Sequence, residues 1–162
     1  MPLSKEMLNE LFEYCDGEIY YKVSRSRNKA GEKAGTLCNK KYYRVKIDGK
    51  VYLNHRIIFM MHYGYLPKEI DHIDGNKLNN KIENLRPASH AENQWNTKKR
   101  KDSNANVKGV SWHKKNKMWN VKINCNNNRY NIGYFKDLEL AELVAIEARN
   151  KYHGEFANHG AR

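Results

Sequence analysis

The sequence predicts an α+β protein with a β-rich N-terminal region, a ββα core and a C-terminal three-stranded antiparallel sheet packed on one helix. Three observations favour this class. The run YYRVKIDGKVYLNH alternates on both sides of Asp48-Gly49, a pair that favours a type I′ hairpin turn. A capping box at Ser89 and Glu92 predicts a helix directly after a second hairpin at 69–86. In the tail, three strand patterns precede an amphipathic helix that begins after Asp137.

The N-terminal region combines a short helix with strands. Ser4 precedes KEMLNELFEY, an amphipathic helix pattern, and a turn at Asp16-Gly17 leads into the alternating strand EIYYKV. Residues 24–35 are basic and unpatterned, which predicts a loop able to lie along a polyanion. After the first hairpin, Asn54 is predicted to cap the helix HRIIFMMHY, which ends at Gly64.

The rest of the chain divides at a polar linker. The second helix is predicted over 88–100, with the cations Lys98, Lys99 and Arg100 in its last turn. The stretch KRKDSNANVKG then sets a boundary near residue 104. We therefore predict three parts, 1–54, 55–103 and 104–162. The tail helix should present one apolar face, made by Leu138, Ala141, Ala145, Ala148 and Tyr152.

Charge favours a polyanionic partner. The 162 residues carry a formal net charge of +12, with a pI near 9.6. Ten basic and two acidic residues lie in 20–50, and eleven basic and one acidic in 98–136. These blocks suggest two phosphate-tracking surfaces around a balanced middle, since neutralising phosphates releases counterions. A soluble protein that is basic without such a partner is the alternative.

Cysteine usage favours a reducing compartment. Cys15, Cys38 and Cys125 are far apart and form no CxxC pair, so neither a disulfide framework nor a structural zinc site is indicated. The N-terminus has no apolar signal core, and no run is long enough to span a membrane. We expect a cytoplasmic protein without a membrane partner.

The stretch EIDHIDGNKLNN at 69–80 has three interpretations. A calcium loop fails on spacing, because Gly75 in its sixth position would put Ile70 first and Lys81 last. A polar surface turn explains Gly75 but not the adjacent Asp71-His72 pair. The third interpretation is a nuclease site, which needs a general base for water and a divalent cation on the scissile phosphate.

The nuclease interpretation gives four residues a role. Asp71 and Asn93 offer a carboxylate and an amide oxygen, the ligands that Mg²⁺ prefers, if the helix packs across the hairpin. In an extended strand His72 points to the opposite side from Asp71, where it can face the attacking water. Asn84, on the returning arm, is placed to hydrogen bond the imidazole.

These residues lie in HR…GYLP…IDHIDGNKLNNKIENLR…AENQWN, which resembles the HNH endonucleases of phage and homing type. The resemblance implies a ββα-metal fold with His72 as general base, Asp71 and Asn93 as metal ligands, and Asn84 orienting His72. Asn93 stands where many members have histidine, which favours Mg²⁺ or Mn²⁺ over zinc; no small-molecule cofactor is expected. His55 and Arg56 resemble the family's HR pair and should make structural or backbone contacts.

Residues 107–158 resemble the Apetala-type (ethylene-response-factor-like) DNA-binding domain. The resemblance rests on Gly109-Val110, Trp112, Trp119, Ile132-Gly133-Tyr134-Phe135, the alanine-rich helix and Tyr152-His153-Gly154. It implies that the three-stranded sheet enters the major groove of DNA. One sheet face is expected to carry Trp112, Lys114, Lys117, Trp119 and Arg129; the alternative places either tryptophan in the core.

The sequence thus predicts a monomeric, sequence-specific, metal-dependent endonuclease acting on double-stranded DNA as a nick or a double-strand break. We expect it to be phage-encoded and to act in a bacterial host. The alternatives are a DNA-binding regulator with an inactive nuclease core and an RNA-binding or structure-specific nucleic-acid protein. The predicted DNA contacts are Arg25, Arg27, Lys29, Lys41, Arg44, Arg56, Lys77, Trp112, Lys114, Lys117, Trp119, Lys122 and Arg129.

Overall fold

The computed structural model describes residues 3–25, 27–97 and 105–160. It contains four α-helices and ten strands over these ranges, which confirms the mixed α+β class. Two compact units are present, Met1–Ala88 and Ser89–Arg162. Residues 99–104 of the predicted linker KRKDSNANVKG and the cations Lys98, Lys99 and Arg100 lie outside the described residues, whereas Ala105 and Val107 of the same stretch are buried in the core of the second unit. The division into three parts stays a prediction. None of the described helices is long and apolar enough to cross a bilayer.

The first unit begins with a capped helix and a hairpin. Helix α1 spans Lys5–Leu11, and the Ser4 side chain accepts a hydrogen bond from the Met7 amide, as the sequence predicts. Strands β1 (Phe12–Cys15) and β2 (Glu18–Tyr21) pair antiparallel across the Asp16-Gly17 turn. The apolar stripe of α1 is buried in the main core of this unit.

A three-stranded sheet follows, with strand order β3–β4–β5. Its strands are β3 (Thr36–Cys38), β4 (Tyr42–Ile47) and β5 (Lys50–Leu53). Asp48 and Gly49 have φ of 46° and 83°, which is the backbone of a type I′ turn. The predicted hairpin is therefore confirmed.

Helix α2 spans Asn54–Tyr63 and is the most buried helix of the unit. It ends at Gly64 in a left-handed conformation, as predicted. The prediction that Asn54 caps it is wrong, because Leu53 occupies the cap position without a side-chain bond. Asn54 is instead buried and donates its amide N–H to the carbonyl of Ala34 at 2.9 Å, which ties the helix to the preceding loop.

The unit closes with the hairpin that carries the HNH-like motif. Strands β6 (Glu69–His72) and β7 (Leu85–Ala88) pair antiparallel, with Asp71 opposite Arg86 and His72 opposite Leu85. A 3₁₀ turn at Ile82–Asn84 leads the chain back into β7. Buried apolar residues under this hairpin join it to the same core as α1 and α2.

The second unit starts at the predicted capping box. Ser89 accepts from the Glu92 amide while the Glu92 carboxylate accepts from the Ser89 amide, and α3 spans His90–Trp95. Strands β8 (Val110–His113), β9 (Met118–Cys125) and β10 (Asn128–Phe135) form an antiparallel sheet of order β10–β9–β8. Helix α4 (Leu138–His153) begins after the Asp137 cap and packs mainly on β9.

The buried face of α4 differs in part from the prediction. Ala141 and Ala145 are fully buried against β8 and β9, as expected. The face then continues through two polar residues, Arg149 and His153, which are also buried. A helix face of period 3.6 includes these positions, but their polarity hides them from an apolar pattern.

Candidate active site and nucleic-acid interface

The β6–β7 hairpin buries the Asp71-His72 pair. Their residues are only 4% and 5% exposed, respectively, although both side chains are polar. The pair is placed by the apolar neighbour Ile70, which anchors β6 in the core, and by the pairing with β7. Successive strand residues face opposite sides, so the Asp71 carboxylate and the His72 imidazole point to opposite faces of the hairpin.

Asp71 is held by an arginine across the strand pair. The Arg86 Nε and Nη2 donate to Asp71 Oδ2 at 3.0 and 2.8 Å, and the two side chains are 12% and 5% exposed. Cross-strand register sets this contact, since Arg86 lies directly opposite Asp71. Arg86 is not among the site residues predicted from the sequence, although its position on the returning arm of the hairpin was a usable signal.

His72 is oriented by an asparagine in the turn. Its Nε2 lies 3.0 Å from Asn80 Oδ1, and Asn80 is itself buried. Because a carbonyl oxygen only accepts, this bond puts the imidazole proton on Nε2 and leaves Nδ1 as the basic nitrogen. Burial lowers the pKa of His72, while the Asn80 bond and the carboxylates of Asp74 and Asp71 oppose that shift.

Asn84 makes different contacts from those predicted. Its side chain accepts from the Asp74 amide at 3.0 Å and donates to the Asp74 carboxylate and the Asn79 carbonyl at 3.0 and 2.8 Å. The 3₁₀ turn sets Asn84 beneath the loop instead of beside the imidazole. Asn84 therefore braces the loop, and Asn80 is the asparagine that contacts His72.

A second buried histidine packs beside the first. The rings of His55 and His72 meet edge to face with centroids 5.1 Å apart, and Tyr42 lies 5.5 Å from His55. Burial and the neighbouring His72 lower the pKa of His55 to about 3, so it is neutral near pH 7. The expected structural role of His55 fits this placement, at the first turn of α2.

The remaining histidine of α2 and the arginine beside His55 make backbone contacts. The ring of His62 packs edge to face on Tyr14 at 4.6 Å, with Nδ1 2.8 Å from the Ile58 carbonyl. Arg56 donates to the carbonyls of Pro67 and Lys68 at 3.3 and 3.5 Å. Arg56 thus fastens the loop before β6, while its predicted DNA contact stays a prediction.

The metal ligands predicted from the sequence are one carboxylate and one amide oxygen, those of Asp71 and Asn93. Within 3–25, 27–97 and 105–160, no cluster of three or more His, Cys, Asp or Glu side chains is arranged for a metal, so a site of the zinc type is not formed there. A carboxylate with an amide oxygen fits Mg²⁺ or Mn²⁺, which keep several waters. Asp71 supplies the carboxylate in the first unit. Asn93 is the fourth residue of α3 in the second unit, and its part in a shared site rests on the resemblance.

Other predicted DNA contacts of the first unit lie on its surface. Arg25 is 3.8 Å from the Asp48 carboxylate, and both side chains are exposed. The Lys77 ammonium lies 5.0 Å from the centre of the Tyr42 ring, close to the histidine pair. Arg27, Lys29, Lys41 and Arg44 are exposed.

The two tryptophans in the sheet of the second unit, Trp112 and Trp119, lie on its helix side. Trp119 is two residues from the buried Val121 and packs against the core that includes Ala141. Trp112 pairs with Trp119 in the register and meets it edge to face at 5.1 Å, remaining 43% exposed. The expectation of one face shared with Arg129 is wrong, because alternation puts Arg129 on the other side.

The opposite sheet face is polar and basic. Register and alternation bring together Lys122, opposite Asn131, and Arg129, opposite Asn124. Lys114 and Lys117 lie outside the strands, in the exposed β8–β9 turn. The predicted DNA contacts of the second unit therefore lie in three places. These are the β8–β9 turn, the polar sheet face, and the tryptophan pair on the helix side of the sheet.

Comparisons with known proteins identify an HNH segment and two viral relatives. A family model described as HNH endonuclease matches residues 52–95, which include Asp71, His72, Asn84 and Asn93. Protein 3.8 of Escherichia phage T7 is 41% identical over 98 residues, covering 58% of this chain and 78% of that protein. An uncharacterized HNH endonuclease of Acanthamoeba polyphaga mimivirus is 42% identical over 71 residues, covering 42% of this chain and 36% of that protein. No solved structure matches the chain.

Proposed function

The chain belongs to the HNH endonuclease family, and from this membership we propose that it is a sequence-specific, metal-dependent DNA endonuclease. The observation that carries the proposal is the buried Asp71-His72 pair inside the matching segment, with the His72 imidazole fixed by Asn80. A surface turn has no need to bury two ionisable side chains, because each pays a desolvation cost.

His72 is the general base of the proposed reaction. Its Nδ1 takes a proton from water, the water oxygen bonds to phosphorus, and the bond from phosphorus to the 3′-oxygen breaks. The products are a 5′-phosphate and a 3′-hydroxyl, the latter protonated from solvent. Asn80 holds the proton on Nε2 and fixes the ring, so the base keeps one tautomer. Mg²⁺ or Mn²⁺ bound by Asp71 and Asn93 would supply Lewis-acid stabilisation of the phosphate and the leaving oxygen.

The basic surfaces are proposed to hold double-stranded DNA. Support comes from the net charge of +12 and from the exposed cations of the β8–β9 turn. We retain the Apetala-type assignment of 104–162 as part of this proposal, since the three-stranded sheet with one helix is the architecture that it implies. A monomer with one site per chain would cut one strand per binding event. The relative in phage T7 favours a phage-encoded protein acting in a bacterial host.

One observation favours a second candidate, a DNA-binding regulator with an inactive nuclease core. Arg86 already donates two hydrogen bonds to Asp71 Oδ2, which gives that oxygen a cationic partner. A metal at Asp71 would then have to use the other oxygen or displace the guanidinium. Binding without cleavage would identify this candidate.

Plasmid cleavage tests the proposal. The wild-type chain should nick or linearise supercoiled plasmid with Mg²⁺ and stop when a chelator is added. We expect His72→Ala to lower the cleavage rate by about 10²–10⁴-fold, the usual contribution of a general base. Asn80→Ala should lower the rate less, without weakening DNA binding, since it acts through His72.

His62→Gln is the matched control, because His62 lies in the same unit and outside the proposed machinery. Plasmid left supercoiled by wild type with Mg²⁺ present would contradict the enzyme proposal. Wild-type rates in His72→Ala would show that another group is the base.

A further inference from the structure

Arg149 is a buried cation of the second unit, and no carboxylate of the described residues balances its charge. It is 3% exposed, and its Nη2 donates to the carbonyl of Lys108. Its Nη1 is buried and has no hydrogen-bond partner. Burial lowers the pKa of Arg149 to about 10, and no acidic group opposes that shift. An isolated buried charge is costly unless a counter-charge joins it, so the position calls for a ligand.

Arg149 lines a cavity of about 190 Å³ within the second unit. The cavity is much larger than the roughly 30 Å³ that one water occupies in the liquid. Its wall is made by α3, the Lys108-Gly109 segment, β9 and α4, and none of the described lining residues has a carboxylate. The space therefore fits a small group of opposite charge.

Two more basic side chains line the same cavity. Lys108 Nζ donates to the carbonyls of Trp95 and Thr97, which uses two of its three N–H donors. His153 stacks on Trp95 at 4.5 Å, and its Nε2 donates to the Asn124 carbonyl at 2.9 Å. That bond leaves the buried Nδ1 of His153 without a hydrogen-bond partner.

Arg149 lowers the pKa of both neighbouring basic groups, Lys108 and His153. Burial and Arg149 lower the pKa of Lys108 to about 8. The pKa of His153 is lowered chiefly by burial and further by Arg149 and Lys108. An anion between them would oppose these shifts and give Nη1 of Arg149 an acceptor.

We propose that this cavity is a binding site for one phosphate group, with Arg149 as its principal cation. A tetrahedral phosphate offers more acceptors than a carboxylate and carries up to two charges, which matches Arg149 and Lys108 together. The phosphate can come from free inorganic phosphate or from a DNA backbone, and both present the same oxygens. The site does not depend on the proposed cleavage reaction, because binding needs no His72.

Calorimetric titration of the full chain with inorganic phosphate tests this site, against chloride at equal ionic strength. We expect saturable one-to-one binding of phosphate and none of chloride. Arg149→Met keeps the length of the side chain and removes its charge. It should weaken phosphate binding at least about tenfold, as the loss of a charged hydrogen bond implies.

Lys151→Met is the matched control, since Lys151 is an exposed cation on the same helix. It should bind phosphate as wild type does. Non-saturable heat with wild type overturns the proposal without any variant, and equal binding by Arg149→Met overturns the role of Arg149. A titration of the complex with short duplex DNA distinguishes the sources. Lost phosphate binding there indicates a backbone phosphate, and retained binding indicates the free ion.

Discussion

At the residue scale, the first unit buries two neighbouring imidazoles, those of His55 and His72. His55 and His72 are both buried and in ring contact, and burial lowers the pKa of each. A neutral His72 suits a base that must accept a proton near pH 7. A neutral His55 beside it avoids placing a second positive charge against the base, which would lower its basicity further.

His55 should make stability depend on pH in a defined window. Its pKa is about 3 in the folded protein and has the ordinary value of 6.5 in the unfolded chain, so between these values the unfolded chain binds more protons. Stability is therefore unaffected above pH 6.5 and falls as pH falls toward 3. At pH 5 the loss from His55 is about 2 kcal/mol relative to pH 7.

Hydrogen exchange of the α2 amides at pH 7 and pH 5 measures this loss. His55→Phe keeps a ring against Tyr42 and His72 but cannot titrate, so its stability should fall less between the two pH values. An equal fall in wild type and His55→Phe would show that another group is responsible.

At the element scale, the strands depend on glycines for different reasons. Gly49 has φ of +83°, and a Cβ there would meet nothing within 4 Å. Gly109 has φ of +79°, and a Cβ would lie 2.5 Å from the Lys122 carbonyl oxygen and 3.0 Å from Arg149 Nη2. Gly109 thus allows the chain to enter β8 close to β9 and to the buried arginine.

Alanine substitutions at Gly49 and Gly109 should distinguish the cost of a positive φ from the cost of a steric clash with the added Cβ. Gly49→Ala should lower the free energy of unfolding by about 1–2 kcal/mol, the usual penalty for a non-glycine residue in the left-handed region. Gly109→Ala should cost more, because a backbone oxygen cannot move aside as a side chain can. Thermal unfolding followed by circular dichroism compares the two, and a smaller loss for Gly109→Ala would contradict the close approach.

For the whole molecule, the net charge of +12 is spread over surfaces of both units. The exposed cations of the β8–β9 turn are candidates for phosphate contacts that position the duplex without reading its sequence. The polar face with Lys122 and Arg129 is a candidate for contacts to base edges. Trp119 packs against the core of the second unit, and its DNA contact stays a prediction.

Lys114→Ala and Lys117→Ala should weaken DNA binding and reduce its salt dependence. Each lost phosphate contact should lower the slope of log affinity against log salt by about one unit. Affinity measured over a salt series tests this expectation, with Lys151→Ala as an exposed lysine outside the proposed DNA contacts. A slope unchanged in both turn variants would remove the β8–β9 turn from the interface.

Most local features of this fold, unlike the cap of α2, follow from short stretches of sequence. Caps at Ser4, Ser89 and Asp137 and the turn at Asp48-Gly49 depend on neighbours within a few residues, so their patterns predict them correctly. The HNH family is also recognised from the sequence, because its motif residues lie close together in one segment of the chain. The same local run predicts Asp71 and His72 as site residues, and their roles stay a prediction.

Contacts between side chains that are distant along the chain depend on the tertiary structure. Asn80, and not Asn84, contacts His72, because the fold of the loop brings the Asn80 side chain within hydrogen-bond distance of the imidazole. Strand register joins Arg86 to Asp71, and the packing of α4 on β9 buries Arg149. Such contacts depend on residues distant along the chain, and no local pattern of polarity specifies them.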